Sequence, residues 1–141
     1  MAKRTAEEFI DRFSAVKKRI TAHAAEAYAE VEVGTMQAKL LRHIGRAGPI
    51  SQAELARATE SDPTLTGRAL QSLIERDLVR RERSEEDRRE YVLTLGPAGK
   101  RTHARIEKLR SELAAKVVRA LDERDLDDFD RIAAKILAAL A

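Results

Sequence analysis

The middle of the chain constrains the fold most, because two closely spaced helix starts there are followed by two strand signals. Ser51, with a glutamate three residues later, has the spacing of a capping box and predicts the start of a short helix. Asp62, followed by a proline, fits the cap and first turn of another helix that runs to about Arg76. Residue types and alternation predict strands at 78–83 and 91–95. Two short helices followed by a β-hairpin are typical of a winged helix-turn-helix domain.

Long helices are predicted on both sides of this segment. Apolar residues recur every three or four positions over 5–31, so this range is predicted to form one helix. Thr35 is expected to cap the next helix, and Gly45 and Gly48 are expected to mark its end. A further helix is predicted over 98–120, and Asp125 is expected to cap the last one.

The predicted fold class is mainly α with a small β-hairpin wing: a winged helix-turn-helix with N- and C-terminal dimerisation helices. We expect an N-terminal dimerisation helix at 1–33, a DNA-binding winged helix-turn-helix region at 34–96 and C-terminal dimerisation helices at 97–141, within one structural domain. The terminal helices carry more large apolar residues than a small winged domain needs to cover. We interpret these residues as a homodimer interface, with packing inside one chain as the alternative. They are Phe9, Phe13, Val16, Phe129, Ile132, Ile136 and Leu140.

The helix that begins at Asp62 is the candidate recognition helix. Its inward stripe is predicted to be Leu65, Ala69, Leu70 and Leu73. On the outward side, Thr64, Arg68 and Gln71 fit contacts to thymine, guanine and adenine edges in the major groove. Gly67 lies close to that side and would allow the backbone to approach DNA. The alternative is an ordinary polar helix face.

The tip of the predicted hairpin is the second candidate site. It contains Asp87, Arg88 and Arg89, and an arginine in such a loop is attracted to the narrow minor groove. An aspartate two positions before an arginine can hold it extended through a charge-assisted contact. The alternative is a solvated turn, because four nearby glutamates almost neutralise these arginines.

Charge and composition narrow the class of protein. The formal net charge is +3, and segment 122–130 holds six acidic residues and one arginine, so the rest of the chain is basic, as suits a DNA-binding protein. The chain has no cysteine, which excludes disulfides, thiolate metal sites and thiol redox sensing. No apolar run is long enough to span a membrane, and the first residues lack the apolar core of a signal peptide. We therefore expect a cytoplasmic protein that does not bind membranes.

Three runs of residues together resemble the signature of the MarR family of transcriptional regulators. They are Leu73-Ile74-Glu75-Arg76-Asp77-Leu78-Val79-Arg80-Arg81, Glu86-Asp87-Arg88-Arg89 and Val92-Leu93-Thr94-Leu95. The resemblance extends to the helices at both ends of the chain. It implies a homodimeric, sequence-specific regulator, a repressor, that binds palindromic double-stranded DNA and responds to a small aromatic or phenolic effector.

The resemblance also implies roles for individual residues. Arg89 is similar to the wing arginine that enters the minor groove, Asp87 to its orienting partner, and Arg68 to the arginine that lies beside the bases. Two positions depart from the family pattern. Gly67 stands where the family often has Ser or Thr, and Asp77 stands where it usually has Gly, so Asp77 is expected in a left-handed turn.

The resemblance also implies an effector site, while a metal site and two other functions are alternatives. The effector would bind near Tyr28, Met36, Leu40 and His43. The absence of Cys and Trp argues against the family's cysteine-based peroxide sensors and tryptophan-using urate sensors. The spacing of His103 and Glu107, four residues apart, would allow them to share a metal with His43, but no recognised metal motif is present and no cofactor is expected. No catalytic motif indicates an enzyme. A winged-helix module that binds proteins rather than DNA is the remaining alternative, favoured by the nearly neutral wing.

Overall fold

The computed structural model describes residues 4–60 and 62–141, and residues 1–3 of the predicted N-terminal region lie outside that part. The described residues are mainly helical, with one small antiparallel sheet, as predicted. In chain order the elements are α1 (Ala6–Ala29), α2 (Thr35–Ala47), β1 (Ile50–Ser51), α3 (Gln52–Thr59), α4 (Pro63–Glu75), β2 (Val79–Arg83), β3 (Tyr91–Leu95), α5 (Pro97–Val118) and α6 (Glu123–Ala139). None of the described helices is long and apolar enough to cross a membrane.

Two predicted helix caps were wrong by a few residues. The last helix is capped by Asp122, whose side chain accepts from the Asp125 amide at 2.8 Å, while Asp125 reciprocates from the third helical position. This reciprocal pair satisfies two backbone amides, which a cap at Asp125 alone would not do. In α2 the cap is Gly34 rather than Thr35, and the Gly34 amide donates to the Gln37 side chain.

Of the two glycines predicted to mark the end of α2, Gly48 does so and Gly45 does not. The helix continues to Ala47 and ends at Gly48, whose φ of 71° is left-handed. Gly45 lies inside the helix beneath the ring of His103 from α5, and a Cβ added there would be 2.6 Å from ring atoms. The small residue therefore serves close packing between two helices rather than helix termination.

The sheet has three strands in the order β1-β3-β2, whereas the sequence predicted two. Strands β2 and β3 form the predicted hairpin, with Arg81 opposite Leu93 and Arg83 opposite Tyr91. The unpredicted strand β1 pairs Ile50 with Leu93 on the other edge of β3. It is only two residues long and runs directly into the cap of α3, so it has no periodic pattern of its own.

The chain forms two compact units, of which the first ends at Leu109. The core of the first unit contains fully buried leucines and isoleucines from α2 to α5, with Leu73 of α4 and Leu93 of β3 among them. The predicted inward position of Leu65 was wrong, because its side chain is 58% exposed. Thr66 is buried instead, in the i, i+4, i+7 stripe that continues through Leu70 and Leu73.

The junction between α4, the wing and α5 is packed backbone against backbone. Asp77 has a φ of 58°, which confirms the expected left-handed turn. After β3, the Gly96 amide donates to the Leu78 carbonyl oxygen at 3.0 Å. A Cβ added to Gly99 in the first turns of α5 would overlap the same oxygen, and one added to Gly96 would be 2.9 Å from the Asp77 oxygen. The two glycines thus allow the turn at 77–78 to rest on the start of α5.

The second unit comprises residues 110–141, the end of α5 and all of α6. No residue of α6 is buried. Phe129, Ile132, Leu137 and Leu140 are among the large apolar side chains exposed on it.

Candidate nucleic-acid interface

The N-terminus of α4 is fixed by its predicted cap. One carboxylate oxygen of Asp62 accepts hydrogen bonds from the amides of Thr64, at 2.8 Å, and Leu65, at 3.1 Å. Pro63 occupies the first helical position, where a backbone N–H would have no partner within the helix, so its absence costs nothing. Two of the amides that a helix leaves unpaired are therefore satisfied, and the first turn is held in one conformation.

The predicted outward residues of α4 are all exposed. Thr64, Gly67, Arg68 and Gln71 lie on the side of the helix away from the core, and Gln71 donates to Glu75 at 3.3 Å. On the opposite side, Leu70 and Leu73 anchor the helix to the core. The helix therefore presents polar and cationic groups from a rigid support, as reading of base edges requires. That these side chains contact bases stays a prediction.

The wing tip holds the predicted pairing of Asp87 with Arg89. The Asp87 carboxylate accepts from the Arg89 amide at 3.0 Å and lies 3.5 Å from the guanidinium Nε. The hydroxyl of Ser84 accepts from the amides of Glu86 and Asp87, which closes the turn. The Arg89 side chain is 94% exposed. This arrangement holds an exposed arginine at the end of the wing, and its entry into a minor groove stays a prediction.

Sequence reasoning missed three residues on the wing. Tyr91 of β3 lies beneath two guanidinium groups. The Cζ atom of Arg81 is 4.9 Å from the centroid of the tyrosine ring, and the Cζ atom of Arg83 is 5.2 Å from it. Arg83 also donates to the Arg88 carbonyl oxygen at 2.6 Å. The alternation of β2 was visible in the sequence and places Arg81 and Arg83 on one face. Their convergence on Tyr91 depends on the strand register, which the sequence did not reveal.

An ion cluster joins α2 to α5. Glu107 accepts from Arg42 at 3.1 Å and from Arg46 at 2.9 Å, and His103 Nε2 lies 3.5 Å from the same carboxylate. The hydrogen bond from Arg46 is the main cause that holds the pKa of Glu107 below its ordinary value, with Arg42 adding to it and burial opposing it. Burial, together with nearby cations, lowers the pKa of His43.

This cluster bears on the metal alternative. Both oxygens of Glu107 already face arginines, whose charge would repel a metal ion. Among the described residues, no group of three His, Cys, Asp or Glu side chains converges as metal binding requires.

The predicted effector residues lie in and beside the core of the first unit. Tyr28 and Leu40 are buried in it, Met36 packs against it and His43 is half-buried. A ligand that reached Tyr28 or Leu40 would have to displace core side chains. Effector binding at these residues stays a prediction.

The predicted dimerisation residues are mostly exposed. On α1, Phe9, Phe13 and Val16 are each more than one-third exposed. On α6, Phe129 and Ile132 are also exposed, Leu140 at the end of the helix is largely exposed and Ile136 is half-buried. Exposure of several large apolar side chains on one helix is unusual for a monomer.

Comparison with known proteins agrees with the motif resemblance. The sequence model of the MarR family matches residues 33–90, from the start of α2 to the wing. The HTH-type transcriptional regulator BilQ of Clostridium symbiosum is 32% identical over 83 residues, which cover 59% of this chain and 58% of that protein. The chain thus spans less than two-thirds of this curated relative. Its name is that of a transcriptional regulator.

Solved structures confirm the fold. A putative MarR-like transcription regulator from Bacillus cereus has a TM-score of 0.86 at 15% identity, covering 96% of this chain and 97% of that one. MepR of S. aureus, solved as a DNA complex, has a TM-score of 0.82 at 16% identity, with 97% and 99% covered. A mutant of MarR from E. coli, solved with operator DNA, has a TM-score of 0.80 at 20% identity, with 90% and 91% covered.

Proposed function

We propose that this chain, which carries a winged helix-turn-helix segment of the MarR family, is a sequence-specific double-stranded DNA-binding regulator that acts as a homodimeric repressor. The observation that carries the proposal is that two exposed arginines each extend from an ordered part of the fold. Arg68 extends from α4, whose first turn Asp62 caps, and Arg89 extends from a wing tip that Asp87 orders. Two relatives in fold were solved bound to DNA, which supports the same use of the surface.

The two arginines are proposed to have different roles. Arg68 would contact a guanine edge in the major groove, where a bidentate arginine contact discriminates by about 1–3 kcal/mol against the wrong base. Arg89 would enter the minor groove, where its contribution depends on groove width and potential more than on base identity. Loss of Arg68 should therefore relax sequence preference, and loss of Arg89 should weaken binding to all sequences that share a narrow groove.

The test begins with selection of duplexes from a random pool by the purified full chain, since the operator is unknown. Fluorescence anisotropy then measures the affinity of the enriched duplex for wild type and for Arg68→Ala, Arg89→Ala and the control Arg124→Ala in α6. We expect both site variants to lose affinity and the control to retain it. Failure of wild type to enrich any duplex, or unchanged binding by both site variants, would favour a protein-binding winged module and refute the proposal.

Homodimer formation is supported by the exposed apolar residues of α1 and α6. Two-fold symmetry would place the two copies of α4 about 34–36 Å apart, so the enriched duplex should be palindromic with half-sites about one turn apart. Sedimentation velocity should show a dimer for wild type and dissociation for Phe13→Glu and Phe129→Glu. Lys18→Glu, on the other side of α1, also introduces a glutamate and makes a larger change in charge, and it should leave the dimer intact.

Response to a small effector is proposed from the family resemblance and from the residues beside the core. Tyr28 and Met36 would contact an aromatic or phenolic anion, and the surrounding chain would rearrange to admit it. Salicylate is a suitable phenolic probe. We expect it to release the enriched duplex at millimolar concentration from wild type and less readily from Met36→Ala. If the duplex stays bound throughout the titration, the effector proposal is wrong for this class of ligand.

A further inference from the structure

One face of the wing holds two positive charges against a single aromatic ring. Alternation along β2 places the side chains of Arg81 and Arg83 on the same face, and the strand register places Tyr91 directly opposite Arg83. The guanidinium carbons lie 4.9 and 5.2 Å from the ring centroid. Both distances are within the range for cation–π attraction. The ring therefore holds two arginines close to each other, although their charges repel.

The charge of this pair is not neutralised by neighbouring acids. Glu82 lies between the two arginines in sequence, but alternation points it to the opposite face of the sheet, across from Val92. Asp87, another acid of the wing, is paired with Arg89. In the part of the chain that the structure describes, neither Arg81 nor Arg83 forms an ion pair. Two adjacent cations without an ion-pair partner favour binding of an anion between or beside the guanidinium groups.

We propose that Arg81, Arg83 and Tyr91 form a clamp for a phosphodiester of the DNA backbone, separate from the arginine at the wing tip. The clamp rests on the proposed DNA-binding function. Arginine stacked on an aromatic ring keeps its N–H edges free, and those edges match the geometry of phosphate oxygens. Arg83 is held further by its hydrogen bond to the Arg88 carbonyl, so less side-chain freedom is lost on binding.

A backbone contact has a signature that base contacts lack. It does not depend on sequence, and each phosphate neutralised contributes about 0.9 to the slope of log affinity against log salt concentration. A fluorescein-labelled random-sequence duplex is therefore a sufficient probe, and the operator need not be known. Anisotropy titrations from low to moderate salt with the full chain measure both the affinity and the slope.

Four variants separate the effects on DNA binding of the two arginine charges, of the tyrosine ring and of the overall charge of the protein. The double variant Arg81→Gln/Arg83→Gln should lower the slope by about one unit and weaken binding at every salt concentration. Tyr91→Leu keeps both charges but removes the ring, and should weaken binding at least several-fold. Tyr91→Phe keeps the ring and should bind as wild type does. Arg124→Gln, which removes one positive charge from α6, should leave the slope unchanged. Circular dichroism melting checks that each variant is folded.

The outcomes distinguish the clamp from the proposed function as a whole. If wild type binds duplex DNA with a steep salt slope and the double variant does the same, the clamp is wrong and DNA binding stands. The clamp is also wrong if Arg124→Gln matches the double variant, or if Tyr91→Leu binds as tightly as Tyr91→Phe. If wild type binds neither the random duplex nor any selected duplex, both proposals fail.

Discussion

Substitution of Ala for Gly67 is expected to separate the stability of α4 from its use in binding. Gly67 lies inside the helix and is exposed, and a Cβ added there would meet no heavy atom within 4 Å. Glycine in a helix interior is about 0.8–1.0 kcal/mol less favourable than alanine. Because no contact opposes the added methyl group, Gly67→Ala should stabilise the protein by about 1 kcal/mol, which corresponds to roughly 3 °C in Tm for a chain of this size.

The same substitution should weaken DNA binding. Gly67 lies on the outward side of α4 near Arg68, where a glycine permits the helix backbone to approach the duplex closely. A methyl group there would hold the helix away from the groove, and the contacts of Arg68 would lengthen. We expect a more stable protein with lower affinity for the enriched duplex, a combination that general destabilisation cannot produce.

Thermal denaturation by circular dichroism, at one fixed protein concentration, measures the first effect, and anisotropy measures the second. Gly99→Ala is the matched control, since a Cβ there would overlap the Leu78 carbonyl oxygen. It should lower Tm markedly, because the backbone of the turn must move to admit the methyl group. A lower Tm for Gly67→Ala would refute the reasoning about helix propensity. Undiminished affinity would refute the close approach of the backbone to DNA.

Three further predictions concern stability and titration. The hydrogen bond from Arg46 lowers the pKa of Glu107. The ionised Glu107 carboxylate therefore contributes about 1 kcal/mol to the free energy of unfolding at neutral pH, and this contribution is lost as pH falls from 4.5 through the folded-state pKa. The urea midpoints of wild type and Glu107→Gln should differ at pH 7 and converge in acid. Burial first, and nearby cations second, lower the pKa of His43, so its ring should titrate below 6.5 by NMR when folded and at its ordinary value in urea, and stability should fall as pH drops below 6.5. Asp62→Ala should cost about 1 kcal/mol by removing the cap of α4, and Asp62→Asn should recover most of it in thermal melts. Equal urea midpoints at all pH values, a His43 midpoint above 6.5 or an unchanged melt of Asp62→Ala would each contradict the corresponding contact.

The sequence predicted those parts of the fold that depend on local chemistry. Asp62 caps α4 and Asp87 contacts Arg89 because in each case both partners lie within three residues of each other. The rotation of α4 was predicted less well. The apolar pattern favoured Leu65 over Thr66 as an inward residue, since leucine is the more apolar, but packing of the helix buried the threonine. Tertiary contact with the core therefore outweighed residue type at this position.

Features that depend on distant residues were not predicted. Glu107 meets Arg42 across 65 residues of sequence, and no local pattern marks either as a partner of the other. Strand β1 exists because Ile50 lies beside Leu93, and a two-residue strand has no period to detect. The grouping of Arg81 with Tyr91 required the register of the hairpin. In all three cases the contact depends on the tertiary arrangement of segments that are distant in sequence, and no single segment indicates it.

The turn at Asp77 and Leu78 has a consequence for how sequences of this kind can vary. Its carbonyl oxygens rest directly on the backbone at Gly96 and Gly99, so no side chain is available there to absorb a change by adopting another rotamer. The base of the hairpin should therefore tolerate very few replacements, whereas replacements in the solvated loop at its far end should change DNA affinity without disturbing the fold. A collection of natural variants would then show the loop varying in sequence while the direction in which the hairpin projects is inherited unchanged.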